Sequence, residues 1–276
     1  MKIWHERQGF DKSALIEQIL SDTELNMEAN MKLFIIISIC LTFAAYPLAA
    51  QQVAVFDSDI IKGEGSEIKL TFIGHGTLMI EHQGRVIHVD PWSKLADYQK
   101  LPPADMLLIT HEHQDHYDAT AIAQASKPGT TVIYTETIGS ERNDGKVFKN
   151  GDAQVIDAIN IEAVAAYNLV HLREDKQPYH PKGRGNGYVL TIDGKRIYIA
   201  GDTENAAELK ELKNIDVAFL PMNLPYTMTP EMVADLAMAI KPKILYPYHF
   251  GDTDTARLLE LLKNNPEIEV RIRKLS

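Results

Sequence analysis

The sequence predicts an α/β fold assembled from two similar halves. Three observations lead there. Runs of short antiparallel strands give way to strand–helix units, and this order occurs twice along the chain. Polar clusters rich in His and Asp fall where apolar runs end, at the carboxyl ends of strands, which is where open α/β sheets place their sites. The 276 residues are 45% hydrophobic and 24% charged, ordinary globular values that support one large core. A formal net charge of −10 without any basic run argues against a nucleic-acid partner. The single cysteine, Cys40, sits inside an apolar run near the N-terminus, so the rest of the chain offers neither a disulfide nor a thiolate ligand.

Residues 1–30 are polar and acidic, with weak helical periodicity at Leu15, Ile16, Ile19 and Leu20. Met31-Lys32 is followed by a charge-free run, Leu33 to Ala45, and then by Pro47-Leu48-Ala49-Ala50. A basic start, an apolar centre and small residues at a cut site are the order of a secretory signal peptide. The expectation is therefore translation from Met31, with 1–30 a mis-assigned extension, 31–50 a signal peptide cut after Ala50 or one residue earlier, and export to the periplasm or beyond. The alternative, an uncleaved anchor helix, is short for a membrane span. After cleavage no stable span is expected. Residues 51–66 read as a loose N-terminal segment, and 67–276 as the folded domain.

Glu67 to Ile73 alternates and reads as a strand, Gly74 to Thr77 as a turn, and Leu78–Glu81 and Val86–Val89 as two further strands split by Gln83-Gly84. Trp92 to Pro103 is a loop. Met106-Leu107-Leu108-Ile109 is a buried strand, and Ala119 to Ala125 a helix. Between them lies Thr110-His111-Glu112-His113-Gln114-Asp115-His116-Tyr117-Asp118. Crowding imidazoles and carboxylates this densely brings repulsion and unmatched lone pairs. A divalent cation satisfies all of them, and nitrogen plus carboxylate oxygen is a donor set that zinc prefers. A solvated polar loop that happens to be His-rich is the bland reading, and the density of the cluster outweighs it.

The spacing H-x-H-x-D-H, together with the strand–loop–helix context, resembles the metallo-β-lactamase superfamily over roughly Glu67 to the C-terminus. The resemblance implies a four-layer αβ/βα sandwich and two metal ions, about 3.5–4 Å apart as in other two-metal sites. Carried over by position, His111 and His113 would bind the first metal, and Asp115 and His116 the second.

Other stretches then take roles implied by the resemblance. Gly74-His75-Gly76-Thr77 is similar to the branch that includes ascorbate-6-phosphate lactonase and N-acylphosphatidylethanolamine phospholipase D, which gives His75 either a site role or a structural one. Asp90, before Pro91, is either a carboxylate that orients a ligand histidine or a turn cap. Thr131–Tyr134, Val155-Ile156 and Ile159–Ala165 are strands. Here the pattern departs from the family. Asn168 stands where a third histidine for the first metal is expected, and His171 and His180 follow in an insertion from Leu169 to Gly185. His180 is the preferred ligand, because Pro181 and the Gly-rich run 183–187 suit a flexible loop that folds back. His171, or Asn168 with water, remain open. That Gly-rich run is not a phosphate loop, since no Gly-Lys-Ser/Thr follows and the next element is a strand. Tyr188–Ile192 and Arg196–Ala200 form a hairpin across Asp193-Gly194. Asp202, in Gly201-Asp202-Thr203, is the bridging carboxylate of the family or the N-cap of a helix from Glu204 to Leu212. Ile215–Leu220 is a strand whose following loop, Pro221 to Tyr226, walls the pocket. Thr229-Pro230 opens a helix to Ile240. Lys243–Tyr246 is a strand that leads to His249, the last ligand, to the second metal. A final helix to Lys263 and a strand from Ile268 to Ile272 close the chain.

The resemblance implies a hydrolase in which a metal-bridging hydroxide attacks an ester, lactone or phosphodiester bond of a small-molecule or lipid-like substrate. His75 or Tyr248 would help the metals stabilise the oxyanion, and Asp202 would orient the nucleophile and pass a proton to the leaving group. Zinc suits the nitrogen-rich set, and manganese or iron occupy similar ones. β-Lactamase activity is not expected, because the family members with it use a cysteine at the second metal. The diiron oxygen reductases have Glu where His113 stands, and the nucleic-acid-cutting branch carries a large inserted domain. Glyoxalase II-like thioesterases stay open. The alternative from another class is a non-catalytic exported protein that binds metal or ligand on the same fold, favoured by the histidine missing at Asn168.

Overall fold

The computed structural model describes residues 56–276 continuously and isolated positions between residues 13 and 31. Apart from those positions, residues 1–55 lie outside the described residues, and with them the extension, the export signal and Cys40. Residues 56–276 belong to one compact unit. Among the described residues no helix is long and apolar enough to cross a membrane.

Two seven-stranded sheets repeat one plan. In the first, β1 (Asp57–Lys62), β2 (Glu67–Gly74), β3 (Thr77–His82) and β4 (Arg85–Val89) form an antiparallel meander. Parallel β5 (Ala104–Leu108), β6 (Ser126–Thr135) and β7 (Lys146–Phe148) continue it. In the second, β8 (Ala153–Ile156), β9 (Ile159–Ala166), β10 (Gly185–Ile192) and β11 (Lys195–Ile199) are antiparallel. Parallel β12 (Val217–Pro221), β13 (Ile244–Tyr248) and β14 (Glu269–Val270) follow. Within residues 56–276 the α-helices are α1 (Ala119–Ala125), α2 (Glu136–Gly139), α3 (Pro230–Ile240) and α4 (Thr255–Leu262).

The sequence pattern accounts for this arrangement. In β2, Ile68, Leu70 and Phe72 are buried while Glu67 is exposed, the alternation of a strand with one strongly apolar face. Met106, Leu107 and Leu108 of β5 and all of β12 are buried on both faces, as covered parallel strands require. Ile68, Leu70 and Phe72 share one core with Ile161, Leu190 and Phe219 of the second sheet, and the Phe72 ring lies 5.1 Å from that of Tyr246. On the outer face of the first sheet, Met79, Leu107 and Tyr134 pack with Ile122 of α1. Val233, Leu236 and Leu258 bury α3 and α4. The result is the four-layer αβ/βα sandwich. Helix starts follow the side chains that cap them. Asp118 accepts from Thr120 N (2.9 Å) and Ala121 N (3.2 Å), and Thr229 accepts from Met232 N (3.2 Å) with Pro230 in the first turn.

Five local expectations are corrected. Within the segment 51–66 expected to be loose, Asp57–Lys62 forms β1, paired along its length with β2 and anchored by the buried Ile61. Glu204 to Leu212 is not a helix; only a 3-10 turn forms, at Ala207–Glu211, because Glu204 is held by contacts described below. The Gly-rich run 183–187 is not a flexible loop. Gly185 and Gly187 belong to β10, and a Cβ on Gly187 would stand 2.7 Å from Ala200 O, so the glycine lets strands approach. The closing strand is two residues long, Glu269–Val270. The strand expected at 131–134 runs from Ser126 to Thr135.

Candidate metal centre

The chain leaves β5 at Ile109, whose N–H donates to Ile133 O at 2.9 Å. The loop then curls on itself, with His116 N (3.0 Å) and Tyr117 N (2.7 Å) both donating to His113 O, before Asp118 starts α1. This turn brings His111, His113, Asp115 and His116 onto one side. The second sheet supplies the rest. Asp202 follows β11 through Gly201, whose φ of +64° suits glycine. His249 follows β13 with φ +47°, and His180 comes from the loop between β9 and β10.

Seven side chains form two sets that share Asp202. His113 Nδ1 lies 3.1 Å from His111 Nε2 and 3.2 Å from His180 Nε2. Asp202 Oδ2 lies 3.3 Å from His180 Nε2 and 3.9 Å from His111 Nε2. On the other side, Asp115 Oδ2 lies 3.7 Å from His116 Nε2 and 3.5 Å from His249 Nε2. Asp202 Oδ1 lies 3.5 Å from His116 Nε2, and its Oδ2 3.5 Å from His249 Nε2. Donors about 2.0–2.1 Å from a tetrahedral zinc stand roughly 3.3–3.4 Å from one another, so both sets have the span of a metal site.

The unmet needs of the cluster fit the same group. His116 Nε2, His249 Nε2 and Asp202 Oδ1 are buried without a hydrogen-bond partner. Burial, and then the neighbouring His116, push the His111 pKa well below the usual value, which leaves a lone pair for a cation. Burial, and then His180, lower His113 likewise. Burial opposes charge on His116 too, but Asp202, Asp90 and Asp115 outweigh it and push it up to about 10. Burial would raise Asp202, yet His249, His116 and His180 hold it well below the carboxylate range. The pocket thus favours a positive charge between its carboxylates, and a divalent cation supplies it.

A second ring of contacts fixes which nitrogen faces inward. Asp90 Oδ2 lies 2.8 Å from His116 Nδ1, and Asp90 also accepts from Thr110 N (2.8 Å) and Thr110 Oγ1 (2.6 Å). Thr110 Oγ1 is 3.0 Å from His111 Nδ1. Asn168 donates through Nδ2 to Glu204 Oε1 (3.0 Å) and Tyr226 O (2.9 Å), so its Oδ1 faces His180 Nδ1 at 2.7 Å and accepts from His180 N at 2.8 Å. Nε2 of His180 is therefore the free nitrogen. His171 sits elsewhere, its Nδ1 2.7 Å from Glu204 Oε1. His75, φ +50°, faces Asp115 Oδ2 with Nε2 at 3.1 Å and packs on His249 with ring centroids 3.6 Å apart.

A beta-lactamase superfamily domain model matches residues 69–249. The chain belongs to the beta-lactamase superfamily. It is 33% identical over 200 residues to a UPF0173 metal-dependent hydrolase of Geobacillus sp. strain WCH70, covering 67% of this chain and 86% of that one. A UPF0173 metal-dependent hydrolase of Pelotomaculum thermopropionicum is 27% identical over 220 residues, 74% of this chain and 96% of its own. A crystal structure from Parabacteroides distasonis, assigned as a metal-dependent hydrolase, is 49% identical with a TM-score of 0.77, covering 80% of this chain and 100% of its own. Igni18, a metallo hydrolase from Ignicoccus hospitalis, is 26% identical with a TM-score of 0.62, covering 76% of this chain and 96% of its own. The chain is a metal-dependent hydrolase of this superfamily.

The two sets open into a cavity of about 380 Å³ with His113, Asp115, His180, Asp202 and His249 at its floor. Arg173, Tyr179, Asn223 and Tyr226 line the rest. His75 and Tyr248, the two alternatives for the oxyanion, do not line it. His75 lies behind Asp115, and Tyr248 is fully buried beside Phe219, with ring centroids 5.9 Å apart. Several residues escaped sequence reasoning. Thr110 lay inside the motif but reads as spacing. Glu204, fully buried, accepts from Leu169 N (2.6 Å), Val170 N (2.7 Å) and His171 N (2.8 Å) and so pins the start of the insertion. Its one signal was a position two residues after Asp202. Arg173 and Tyr179 carried no signal.

Proposed function

We propose that the chain is a two-metal hydrolase that cleaves an ester, lactone or phosphodiester bond of a small-molecule or lipid-like substrate. The observation that carries this is the pair of four-donor sets sharing Asp202. His111, His113, His180 and Asp202 would hold one cation, and Asp115, His116, His249 and Asp202 the other. The nitrogen-rich donors favour zinc. When bound, the cations supply Lewis acidity toward the scissile group and an acidified water as nucleophile at neutral pH.

The chain's own residues do the rest. Asp202 stands at the cavity floor between the sets, placed to orient the attacking water, and its strongly lowered pKa keeps it ionised in that role. His75 positions Asp115 and does not touch substrate. Asn223 lines the cavity as the neutral donor nearest His249, 3.3 Å from its Nδ1. Gly74-His75-Gly76-Thr77 and Tyr248-His249-Phe250 support the lactonase and phospholipase-D-like branch as the closer chemistry, while the UPF0173 relatives' names specify a metal-dependent hydrolase and no bond. The non-catalytic reading draws on the missing histidine at Asn168, and His180 Nε2, 3.2 Å from His113 Nδ1, supports the catalytic reading over it. Export through residues 31–50 is part of the proposal, tested by N-terminal sequencing of the mature protein.

The test joins metal analysis to a panel of chromogenic esters, lactones and phosphodiesters. About two metals per chain are expected, with hydrolysis that falls at least about a hundredfold in Asp202→Asn. Undiminished turnover in a folded Asp202→Asn protein would remove Asp202 from the chemistry.

A further inference from the structure

The loop that delivers His180 also delivers Arg173. Leu172 and Pro178 form a β-bridge, Arg173 N donates to Gln177 O at 2.8 Å, and Lys176 N donates to Arg173 O at 3.0 Å, so the segment is a small closed hairpin. The Arg173 guanidinium lies 4.9 Å from the Tyr179 ring centroid and donates to Tyr179 O at 3.3 Å. The Tyr179 ring meets Tyr226 edge-on at 5.0 Å. All three side chains line the cavity above the metal-binding floor.

The pattern of ion pairs singles Arg173 out. Of the eight arginines in residues 56–276, seven have a carboxylate within reach. Arg85 pairs with Asp157, Arg142 with Asp144, Arg184 with Glu112, Arg196 with Glu162 and Arg257 with Glu231, while Arg271 and Arg273 share Asp59. Arg173 is the exception among the described residues, and it is the arginine that lines this cavity. The chain carries a net charge of −10, so carboxylates are abundant, and two of them, Glu174 and Asp175, adjoin it in sequence. Asp175 nevertheless turns to Gln177 N at 3.0 Å. A guanidinium held over an aromatic ring is fixed in place, and its planar fork of donors matches an oxyanion.

We propose that Arg173 binds a carboxylate or phosphate of the substrate set away from the bond that is cleaved, so that the substrate is an anionic molecule held at two points. The proposal rests on the hydrolase reading above. The floor takes the reacting group, Arg173 takes the remote anion, and Tyr179 with Tyr226 covers the chain between them.

The test is calorimetric titration of the full, metal-analysed protein with butyrate, glutarate and 4-phosphonobutyrate. Glutarate adds one carboxylate to butyrate, and 4-phosphonobutyrate adds a phosphonate instead. At least one dianion is expected to bind about tenfold or more tightly than butyrate, and that advantage is expected to disappear in Arg173→Gln. The dianion that loses more identifies the group as carboxylate or phosphate. Arg173 is exposed, so the variant should fold, and an unchanged melting temperature checks this. Lys182, paired with Glu208 outside the cavity, controls for bulk charge, and Lys182→Gln should keep the advantage. An advantage that is absent in the parent, survives in Arg173→Gln or is lost equally in Lys182→Gln overturns the proposal. Metal content in the same samples separates the two readings. A parent without metal sinks the hydrolase assignment, while the difference at Arg173 is still read from the titrations.

Discussion

Asp90 accepts three hydrogen bonds in a fully buried position, two from Thr110 and one from His116 Nδ1, and it adopts a left-handed φ of +44° to do so. Such backbone costs of order 1–3 kcal/mol and persists where surrounding contacts over-determine it. The return is a fixed imidazole whose Nε2 faces the second donor set and whose basicity the carboxylate raises. Asp90→Asn keeps an acceptor for Thr110 but removes the charge behind His116. Its expected effect is roughly a 10–100-fold loss of metal affinity at the His116 set, with some loss of stability because an amide N–H₂ now faces His116 Nδ1. Competition titration with a zinc chelator checks it, and unaltered affinity at both sites would make Asp90 a backbone cap only. Asn168 does for His180 what Asp90 does for His116, with a neutral carboxamide. This is why the sequence could be read only so far at the site. His111, His113, Asp115, His116, Asp202 and His249 announce themselves by motif and by strand-end placement. The choice between His171 and His180 depended on Glu204, more than thirty residues away, which holds His171 to itself and turns Asn168 toward His180.

The turn between β2 and β3 shows what an element contributes beyond its own hydrogen bonds. His75 occupies its left-handed corner, and Gly76 follows where a Cβ would stand 2.8 Å from His116 Cε1. A side chain there must displace either the turn or a candidate ligand. Gly76→Ala is therefore expected to lower metal occupancy at the His116 set as well as stability. Gly84 sits in the next turn with φ +78° and nothing near its missing Cβ. Gly84→Ala should cost about 1–2 kcal/mol of backbone strain and leave metal content unchanged. Parallel metal analysis and thermal melts of the two variants separate these effects; equal metal loss in both would mean that Gly76 acts through stability alone. Most elements were legible in the sequence, because α1, α3 and the hairpin across Asp193-Gly194 carry their own caps and turn residues. The errors fell where distant contacts override local preference. Thr203 Oγ1 accepts from Tyr167 N at 3.0 Å, and Glu204 N donates to Tyr167 O at 2.9 Å, so residues that favour a helix start are instead spent on fixing a loop. Gly185 and Gly187 look like a flexible run until the approach of Ala200 O explains them.

Across the whole molecule, the two sheets meet at both ends of their shared core. At one end the donors come from both halves, with His111, His113, Asp115 and His116 from the first and His180, Asp202 and His249 from the second. Away from the metal centre, Asp59 of β1 makes a second clasp. It accepts from Tyr246 of β13 at 2.5 Å, and Arg273 Nη2 (2.7 Å) and Arg271 Nη1 (3.1 Å) donate to it from the C-terminal segment. Burial raises the Asp59 pKa, but the bonds from Tyr246, Arg273 and Arg271 outweigh it and leave it lowered. A carboxylate with a lowered pKa in the folded state binds fewer protons there than in the unfolded chain. Its contribution is therefore complete above the ordinary carboxylate pKa of about 3.9 and is lost as pH falls through the lowered value. The side chain is partly reached by solvent, so screening reduces what the charged bonds contribute, to about 1–2 kcal/mol. Asp59→Asn should thus lower stability at pH 7 by that amount, while parent and variant converge in acid below about pH 4. Denaturant unfolding at a series of pH values, on metal-free protein so that ligand protonation does not enter, measures the difference directly. A gap that stays constant down to pH 3 would show that Asp59 acts by shape and not by charge.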